Sequence, residues 1–328
     1  MQARLKQLLL TSLLLSGIFS APAQTMAQSV SQPMAYVPNE KDGTVSVIDT
    51  QTDEVVKTLP AKGALGKKIQ AAAVHPALQK LYVVVRDKNA VAVINLQQGK
   101  QEALIKVGDE PEGIDISPDG KLLAACLEEE NAVSLVDLST GKLSKTIPTQ
   151  GKNPEHCVFS PDQQWLLASN EESNNVDVIN LKTMKSEYLI AATKHPRGVG
   201  FSPDGKLAYV ANEAANLLEI VSTADWKVKE SIKVGLRSNG VKVNANGSIV
   251  YVSNGGDHNI SVIDTATRTV LTTIAVGKRP WNMAITPDGK KLYVANGRSN
   301  SVSVIDTASN QVLKEITVGT LPWGVVIR

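Results

Sequence analysis

Seven short motifs recur along the chain at a nearly constant spacing, and this internal repeat constrains the fold more than any other feature. Each motif is similar to the tripeptide Val-Ile-Asp, and the motifs end at positions 49, 95, 137, 180, 222, 264 and 306. The successive gaps are therefore 46, 42, 43, 42, 42 and 42 residues. Repeats with a period in the low forties are typical of propellers and other repeat arrays. We interpret residues 35–328 as one repetitive domain rather than as two domains.

One period, taken from residue 280 to residue 318, contains four strand-like segments. They are predicted at residues 281–286, 292–296, 302–306 and 312–318. The turn after the first segment, Pro287-Asp288-Gly289, has a physical basis, because Pro fixes φ at the first corner and Gly accepts a positive φ at the exit. Helical periodicity does not occur after residue 23, so the chain is predicted to be all-β, with four strands in each period.

The two termini indicate how these units assemble. Four-stranded units can bury both of their faces when they are stacked radially as the blades of a ring. Residues 35–39 match the second strand of a period, so the first blade lacks its innermost strand. Residues 322–328 match residues 280–286, which form that missing strand. The predicted fold is a seven-bladed β-propeller of four-stranded blades, closed by a C-terminal strand that completes blade 1.

The first 23 residues are predicted to be a signal peptide. Two basic residues precede an apolar run (residues 8–19), and Ala21-Pro22-Ala23 provides a small-x-small cleavage site. Cleavage is expected after Ala23, with a cut after Ala27 as the alternative, and residues 24–34 are a short linker. The apolar run is shorter than the about 20 residues that span a bilayer, and no later segment is long enough. We expect the mature protein in the periplasm, without membrane insertion.

Composition excludes several classes of function. The 34 Lys and Arg residues nearly balance the 32 Asp and Glu residues, and residues 1–23 contain Arg4 and Lys6 but no acid, so the mature chain has 32 of each sign. This balance argues against nucleic acid as a partner. Two cysteines are too few for a thiolate zinc site or an iron–sulfur cluster. Gly-x-Ser-x-Gly, Walker and His-Glu-x-x-His motifs are absent, which favours a binding protein, expected to be monomeric, over an enzyme.

Alignment of the periods places one residue of each blade at the start of the innermost strand, at the mouth of the central channel. These candidate ligand-binding or partner-binding residues are Gln70, Glu112, Glu155, Arg197, Asn239, Trp281 and Trp323. The loop between the second and third strands lies on the same face, because antiparallel strands return there. Its candidate partner-binding acids are Glu40, Glu128, Glu129, Glu171, Glu172 and Glu213. The face is predicted to be polarised, with carboxylates on blades 3 to 5 opposite Arg237, Arg279 and Arg298.

Three segments carry a resemblance to a known repeat. They are Tyr209-Val210-Ala211-Asn212, Tyr251-Val252-Ser253-Asn254 and Tyr293-Val294-Ala295-Asn296, and they resemble the YVTN-type β-propeller repeat over residues 35–328. With its signal peptide and its closing Pro322-Trp323-Gly324, the chain is similar to periplasmic propellers associated with PQQ-dependent alcohol catabolism. This resemblance implies a non-enzymatic accessory protein of a quinoprotein dehydrogenase or electron-transfer system, with a periplasmic protein as its partner.

The mouth residues allow two interpretations. In one, Trp281 and Trp323 stack on a planar ligand while Arg197 pairs with its carboxylates, a chemistry that fits a planar tricarboxylate such as PQQ. In the other, both Trp side chains fill the top of the channel and Arg197 pairs with Glu155, because large aromatic residues more often fill space.

His156 stands where four other blades have glycine, beside Glu155. Its imidazole could ligate haem iron, as in cytochrome-d1-type propellers, which this architecture resembles, although no second ligand and no Cys-x-x-Cys-His motif is evident. The carboxylates of the face could hold Ca²⁺, yet the sequence contains no Asp-x-Asp-x-Asp-Gly loop. We expect no cofactor and no metal, with PQQ, Ca²⁺ and haem as the alternatives.

The two cysteines are predicted to lie near each other. Cys126 ends the second strand of blade 3, and Cys157 lies in the first strand of blade 4. Export would permit a disulfide, but a shift of one residue in strand register decides whether the two side chains point together. A bridge and two buried small hydrophobic residues are both open alternatives.

Overall fold

Seven four-stranded antiparallel sheets make up the computed structural model, which describes residues 33–328. The predicted signal peptide (residues 1–23), its cleavage site and most of the linker lie outside the described residues. Within the described part of the chain, the only helical element is a 3-10 turn at Arg86–Lys88. No helix there is long and apolar enough to cross a membrane. The all-β, seven-bladed fold predicted from the sequence is confirmed.

The strands are numbered in chain order. Blade 1 contains β1 (Met34–Asn39), β2 (Thr44–Asp49) and β3 (Glu54–Leu59), and its innermost strand is β28 (Val326–Ile327). Blade 2 contains β4 (Ile69–Val74), β5 (Lys80–Val85), β6 (Ala90–Asn95) and β7 (Lys100–Lys106). Blade 3 contains β8 (Pro111–Ile116), β9 (Leu122–Leu127), β10 (Ala132–Asp137) and β11 (Lys142–Pro148). Blade 4 contains β12 (Pro154–Phe159), β13 (Trp165–Asn170), β14 (Asn175–Asn180) and β15 (Lys185–Ala191).

The last three blades follow the same order. Blade 5 contains β16 (Pro196–Phe201), β17 (Leu207–Asn212), β18 (Leu217–Ser222) and β19 (Lys227–Lys233). Blade 6 contains β20 (Ser238–Val243), β21 (Ile249–Asn254), β22 (Asn259–Asp264) and β23 (Thr269–Ala275). Blade 7 contains β24 (Pro280–Ile285), β25 (Lys291–Asn296), β26 (Ser301–Asp306) and β27 (Gln311–Thr317). In blades 2 to 7 the first strand in sequence is the innermost strand of the sheet. Each following strand pairs with the one before it.

The second strand of each blade is buried because neighbouring blades cover both of its faces. In blade 7, four consecutive residues, 292–295, are fully buried. The fourth strand lies at the outer edge and is exposed except at one aliphatic residue, such as Ile316 in β27. This burial pattern explains why the Tyr-Val-x-Asn segments are continuous apolar runs instead of alternating ones.

The C-terminal segment completes blade 1, as predicted. β28 pairs antiparallel with β1, and Tyr36 lies opposite Val326. Ahead of β28, the N–H of Trp323 donates to the carbonyl of Pro38 at 3.0 Å. The ring is therefore closed by hydrogen bonds between the two ends of the chain.

A second contact between blades 7 and 1 involves the buried carboxylate of Asp53. Lys291 Nζ donates to it at 2.7 Å, and the hydroxyl of Tyr293 also donates to it. Burial, followed by this hydrogen bond to Asp53, raises the pKa of Tyr293 above its ordinary value. The contact therefore joins blade 7 to blade 1 through a buried carboxyl group and two donors.

The substitution Tyr293→Phe is expected to lower the free energy of unfolding by about 1–2 kcal/mol, because a buried carboxylate loses one of its donors. Urea unfolding measures the effect. Tyr251→Phe is the control, since Tyr251 holds the equivalent buried position in blade 6 and its hydroxyl has no hydrogen-bond partner among residues 33–328. Equal losses in the two variants would contradict the role of Asp53.

Candidate functional site

Six of the seven predicted mouth residues occupy the second position of an innermost strand, and Trp323 lies just ahead of β28. The second residue is Glu112 in β8, Glu155 in β12 and Arg197 in β16. At this position the pairing with the next strand is interrupted by a register shift, and the same shift occurs in every innermost strand from β4 to β24. Because such bulges re-aim side chains, they account for the way these residues gather at the channel.

Glycine at the third position lets neighbouring blades approach closely. A Cβ at Gly113 would lie 2.3 Å from the carbonyl oxygen of Glu155. Blade 4 has His156 at this position, and its ring stacks on Trp323 with centroids 5.4 Å apart and planes inclined by 24°. Burial and the charge of Arg197 lower the pKa of His156 to about 3. The imidazole is therefore neutral at pH 7 and fills the channel together with the indole.

Arg197 is the centre of the ionic contacts at the mouth. Its guanidinium contacts Glu155 and lies 3.5 Å from the carboxylate of Glu112. It also lies 3.2 Å from Glu171 and 2.9 Å from Glu213. These four glutamates come from blades 3, 4 and 5, so one side chain connects three blades. The Arg197–Glu155 pair of the second interpretation is present.

The sequence prediction missed Arg86, which compensates the carboxylates of blade 3. Its Nη1 atom lies 2.8 Å from Glu112 and 3.0 Å from Glu128, and its guanidinium also contacts Glu110. Arg86 directly follows the second strand of blade 2, at the loop position that holds Glu40 in blade 1 and Glu128 in blade 3. The aligned repeats could therefore have revealed Arg86, because it is a basic residue at a loop position that holds glutamate in other blades.

Six carboxyl groups and four guanidiniums form the ionic network at the mouth. They belong to Glu110, Glu112, Glu128, Glu155, Glu171, Glu213, Arg86, Arg197, Arg237 and Arg279. Burial and the neighbouring Glu112 raise the pKa of Glu155 to about 12 and that of Glu128 to about 8. These raised pKa values predict that two carboxyl groups of the network keep their protons at pH 7.

Each raised pKa has a neighbouring carboxyl group among its causes. Glu155 is hydrogen-bonded to Glu171, and Glu128 is hydrogen-bonded to Glu112. Burial of Glu171 opposes its ionisation, but the hydrogen bond from Glu155 and the charge of Arg197 lower its pKa to about 2. The mouth is thus a network in which protons and guanidiniums together compensate the carboxylates.

This network predicts that stability falls as the pH rises. The pKa of Glu128 goes from 4.5 to about 8 on folding, so the folded protein keeps a proton that the unfolded chain releases. The stability from this group is complete below pH 4.5 and is lost as the pH rises through 8. We expect Glu128→Gln to be more stable than the wild type at pH 9 by about 1 kcal/mol or more, because it removes a buried charge.

Urea unfolding at pH 5, 7 and 9 measures this dependence. The control is Glu129→Gln, which changes the adjacent but exposed carboxylate. We expect the control to retain the pH slope of the wild type and Glu128→Gln to show a smaller slope. Parallel slopes for all three proteins would contradict the retained proton.

Three of the predicted partner-binding acids have their side chains at the mouth of the channel. The side chains of Glu128 and Glu213 are only 9% and 7% exposed, because they pair with guanidiniums at the mouth. Glu40 lines the cavity at the mouth. Glu129 and Glu172 are the loop acids that stay exposed. The outward-facing carboxylate surface is therefore smaller than the sequence indicates.

A cavity of about 310 Å³ lies at the mouth, beside the His156–Trp323 stack. Its walls include five of the predicted mouth residues besides Trp323, namely Gln70, Glu112, Arg197, Asn239 and Trp281. Gln70 Oε1 and Arg279 Nη1 have no hydrogen-bond partner among residues 33–328. The mouth cavity therefore combines aromatic surface with polar groups whose hydrogen-bonding capacity is incompletely used.

One group of residues has the composition of a metal site. Glu112, Glu155 and His156 offer ligand atoms that all lie within 4.8 Å of one another. The guanidinium of Arg197 lies against both carboxyl groups, and Glu155 holds a proton at neutral pH. A cation at this point would therefore have to displace both the guanidinium and the proton.

Cys126 and Cys157 are buried free thiols in one hydrophobic cluster between blades 3 and 4. Burial, followed by the contact with Cys157, raises the pKa of the Cys126 thiol. The structure thus contains the second of the two alternatives, a pair of small buried residues. Formation of a disulfide on oxidation stays a prediction, which mass spectrometry without reductant tests.

Comparisons with known proteins agree with the propeller fold. A family model described as "Lactonase, 7-bladed beta-propeller" matches residues 24–148 and 180–318. No curated protein matches the chain. A solved structure titled Kuenenia stuttgartiensis hydrazine synthase is 26% identical, with a TM-score of 0.75, and the match covers 83% of this chain and 92% of that chain. A functionally unknown protein from Desulfotomaculum acetoxidans is 18% identical, with a TM-score of 0.75 and coverage of 90% and 98%, and it shows the fold alone.

Proposed function

The chain belongs to the family of lactonase-type seven-bladed β-propellers, and on this premise we propose that it is a non-enzymatic binding protein. It acts in the periplasm as a monomer, after cleavage of the signal peptide at Ala23. It is accessory to a quinoprotein dehydrogenase or electron-transfer system, and a protein of that system docks on the mouth of the channel. The Tyr-Val-x-Asn segments and the N-terminal sequence support this proposal.

The observation that carries the proposal is that the charged groups at the mouth are engaged with one another. Arg197 is held by four glutamates, and Glu155 shares its proton with Glu171. A general acid or base must instead reach the reacting group of a bound substrate. Perturbed pKa values often mark catalytic groups, but ion pairing and burial within the network account for the shifts here. The pairing of these charged groups with one another supports a binding surface over a catalytic site.

Two aromatic rings and two polar groups at the mouth can contact a partner. Trp281 and Trp323 line the mouth cavity, and so do Gln70 and Arg279, each of which has an atom without a hydrogen-bond partner among residues 33–328. Tryptophan and arginine dominate the energetics of protein interfaces. We propose that Trp281, which is only half-buried, is the centre of the interface.

Biolayer interferometry with a purified PQQ-dependent alcohol dehydrogenase tests this proposal. We expect the wild type to bind and Trp281→Ala to bind more weakly by a factor of about 30 or more. Leu271→Ala is the control, because Leu271 is 57% exposed on the outer strand of blade 6, away from the mouth. Absence of binding by the wild type, or equal weakening in the two variants, would contradict the proposal.

A planar anionic small molecule such as PQQ is the second candidate ligand. Its specific support is the unpartnered Nη1 of Arg279 in the same cavity as Trp281. Saturable quenching of tryptophan fluorescence by PQQ, weakened in Arg279→Met, would favour this alternative, and no quenching at high micromolar PQQ would remove it. Haem is less compatible with the geometry, because His156 would have to leave its stack with Trp323.

Lactone hydrolysis, the activity named in the family description, is favoured by one observation. The ligand atoms of Glu112, Glu155 and His156 converge within 4.8 Å, as in a site for metal-assisted hydrolysis. The contact of Arg197 with both carboxyl groups argues against it. Hydrolysis of a δ-lactone with added Ca²⁺ or Mn²⁺, lost in Glu112→Gln, would replace the proposed binding function.

A further inference from the structure

A second cavity, of about 400 Å³, lies in the channel on the other side of the His156–Trp323 stack. It reaches the far ends of the innermost strands at Val74 and Ser117, and we refer to it as the lower cavity. The lower cavity and the mouth cavity share only His156, Trp323 and Asn282. The stack therefore separates the channel into two chambers, and an inference about the lower one does not depend on the function proposed for the mouth.

The walls of the lower cavity are mostly apolar. They include Ala73, Ile116, Val158, Val199, Met283 and Val325. Among the described residues that line it, two are charged: Asp115 on β8 and Lys242 on β20. These strands belong to blades 3 and 6, so one acid and one amine enter the chamber from opposite parts of the ring.

The two charged residues occupy the same position of their blades, the fifth of the innermost strand. The other five blades have small or aliphatic residues there, namely Ala73, Val158, Gly200, Ala284 and Val326. A channel that needed only to be filled would be served by such residues at all seven positions. One acid and one base at this level of the ring therefore indicate a function that requires charged side chains.

Asp115 and Lys242 attract each other across the chamber, but neither side chain forms an ion pair within residues 33–328. The carboxylate of Asp115 accepts hydrogen bonds from the backbone N–H groups of Ile116 and Phe159, each at 2.9 Å, but forms no ion pair with any of the described residues. The ammonium of Lys242 has no hydrogen bond or ion pair within residues 33–328. Burial raises the pKa of Asp115 to about 6 and lowers that of Lys242, and each charge partly offsets the shift of the other. Both residues are half-buried, and charges that are partly removed from water are stabilised when a counter-charge is bound.

We propose that the lower cavity binds a zwitterionic α-amino acid with an apolar side chain, its carboxylate on Lys242 and its ammonium on Asp115. A ligand with both charges satisfies both residues at once. A monocarboxylate would leave Asp115 without a cation, and a simple amine would leave Lys242 without an anion. Small-ligand pockets measure about 300–1,000 Å³, so the volume suits a compact molecule whose hydrocarbon part lies against the aliphatic wall.

Isothermal titration calorimetry of the mature protein tests this proposal with L-leucine and L-phenylalanine. We expect saturable binding of at least one of them. The matched analogues lack one charge each: 4-methylpentanoate and 3-phenylpropanoate lack the amino group, and 3-methylbutylamine and 2-phenylethylamine lack the carboxylate. Each analogue is expected to bind at least about tenfold more weakly than its parent amino acid.

A variant and its control test whether Lys242 binds the carboxylate of the amino acid. In Lys242→Met, the amino acid should lose at least about tenfold in affinity while the amine analogue keeps the affinity it has for the wild type. Such selective loss cannot result from misfolding. Lys206→Met is the control, because Lys206 is an exposed lysine on a hairpin at the same end of the ring. No binding at about 10 mM ligand, equal binding of the analogues, or unchanged amino-acid affinity in Lys242→Met would overturn the proposal.

Discussion

Deletion of residues 322–328 is expected to abolish the cooperative unfolding of the propeller. The deletion removes β28 from blade 1 and takes away Trp323 and Val325, which are 8% and 4% exposed. Loss of one buried Trp side chain alone costs about 3–5 kcal/mol. The whole stability of a domain is about 5–15 kcal/mol. We therefore expect the truncated protein to lose about 5 kcal/mol or more and to unfold in a broad, non-cooperative transition.

Differential scanning calorimetry of the mature protein and the truncated protein measures this effect. Arg328→Ala is the control, since it keeps β28 and the backbone hydrogen bonds between Arg328 and Met34 but removes those from Arg328 Nη1 to the carbonyls of His75 and Leu78. The control should cost about 1 kcal/mol and leave one sharp transition. A truncated protein with the transition of the full-length chain would show that the terminal strand does not close the ring.

The second large effect is expected for Arg197→Met, which removes the guanidinium at the centre of the mouth. Removal of one partner from a buried ion pair costs about 3–5 kcal/mol, because the other charge stays buried without compensation. Arg197 faces four glutamates, although its side chain is 22% exposed and part of the effect is screened by solvent. We expect a loss near the lower end of that range at pH 7, measured by urea unfolding.

Two further variants separate the ionic effect from a loss of packing. Arg298→Met removes an exposed arginine of the same face and is expected to change stability by less than about 0.5 kcal/mol. Combining Arg197→Met with Glu171→Gln and Glu213→Gln should recover part of the lost stability, because fewer ionised carboxylates then lack the compensation that Arg197 supplies. No recovery in the triple variant would indicate that Arg197 acts through packing alone.

The fold could be predicted because a propeller repeats its physical constraints in every blade. The continuous burial of segments such as residues 292–295 and the turn Pro287-Asp288-Gly289 recur with the period, so each copy supports the others. The match between residues 322–328 and residues 280–286 also revealed the closure, because a missing strand and a surplus strand must pair. The predicted strand ends differ from the observed ones by one residue in blade 7.

The mouth residues could be placed, but of their ion pairs only Arg197–Glu155 was among the sequence-based alternatives. Alignment along one period locates Glu155 and Arg197 at the channel, whereas contacts across the ring join residues far apart in sequence, such as Arg279 and Glu213, which are 66 residues apart. The inward direction of Glu128 depends on Arg86, which a search for acids alone overlooks. Protonation of Glu155 depends on the sum of burial and neighbouring charges, and no local pattern encodes that sum.

The presence of two opposite charges in the lower cavity could not be predicted from the sequence either. Asp115 and Lys242 are separated by three blades, and each alone is an ordinary charged residue in a strand. Only closure of the ring brings an acid and an amine to the same chamber.

The central claim is that closure of the ring brings carboxyl groups together at the channel mouth. Two of these groups keep their protons at neutral pH. Carbon-13 NMR of the mature protein labelled at the glutamate side-chain carboxyl groups tests it most directly. We predict two signals in the chemical-shift range of protonated carboxyl groups at pH 7, one lost in Glu128→Gln and the other in Glu155→Gln. Titration of every glutamate signal near the ordinary value, with none protonated at pH 7, would contradict the account.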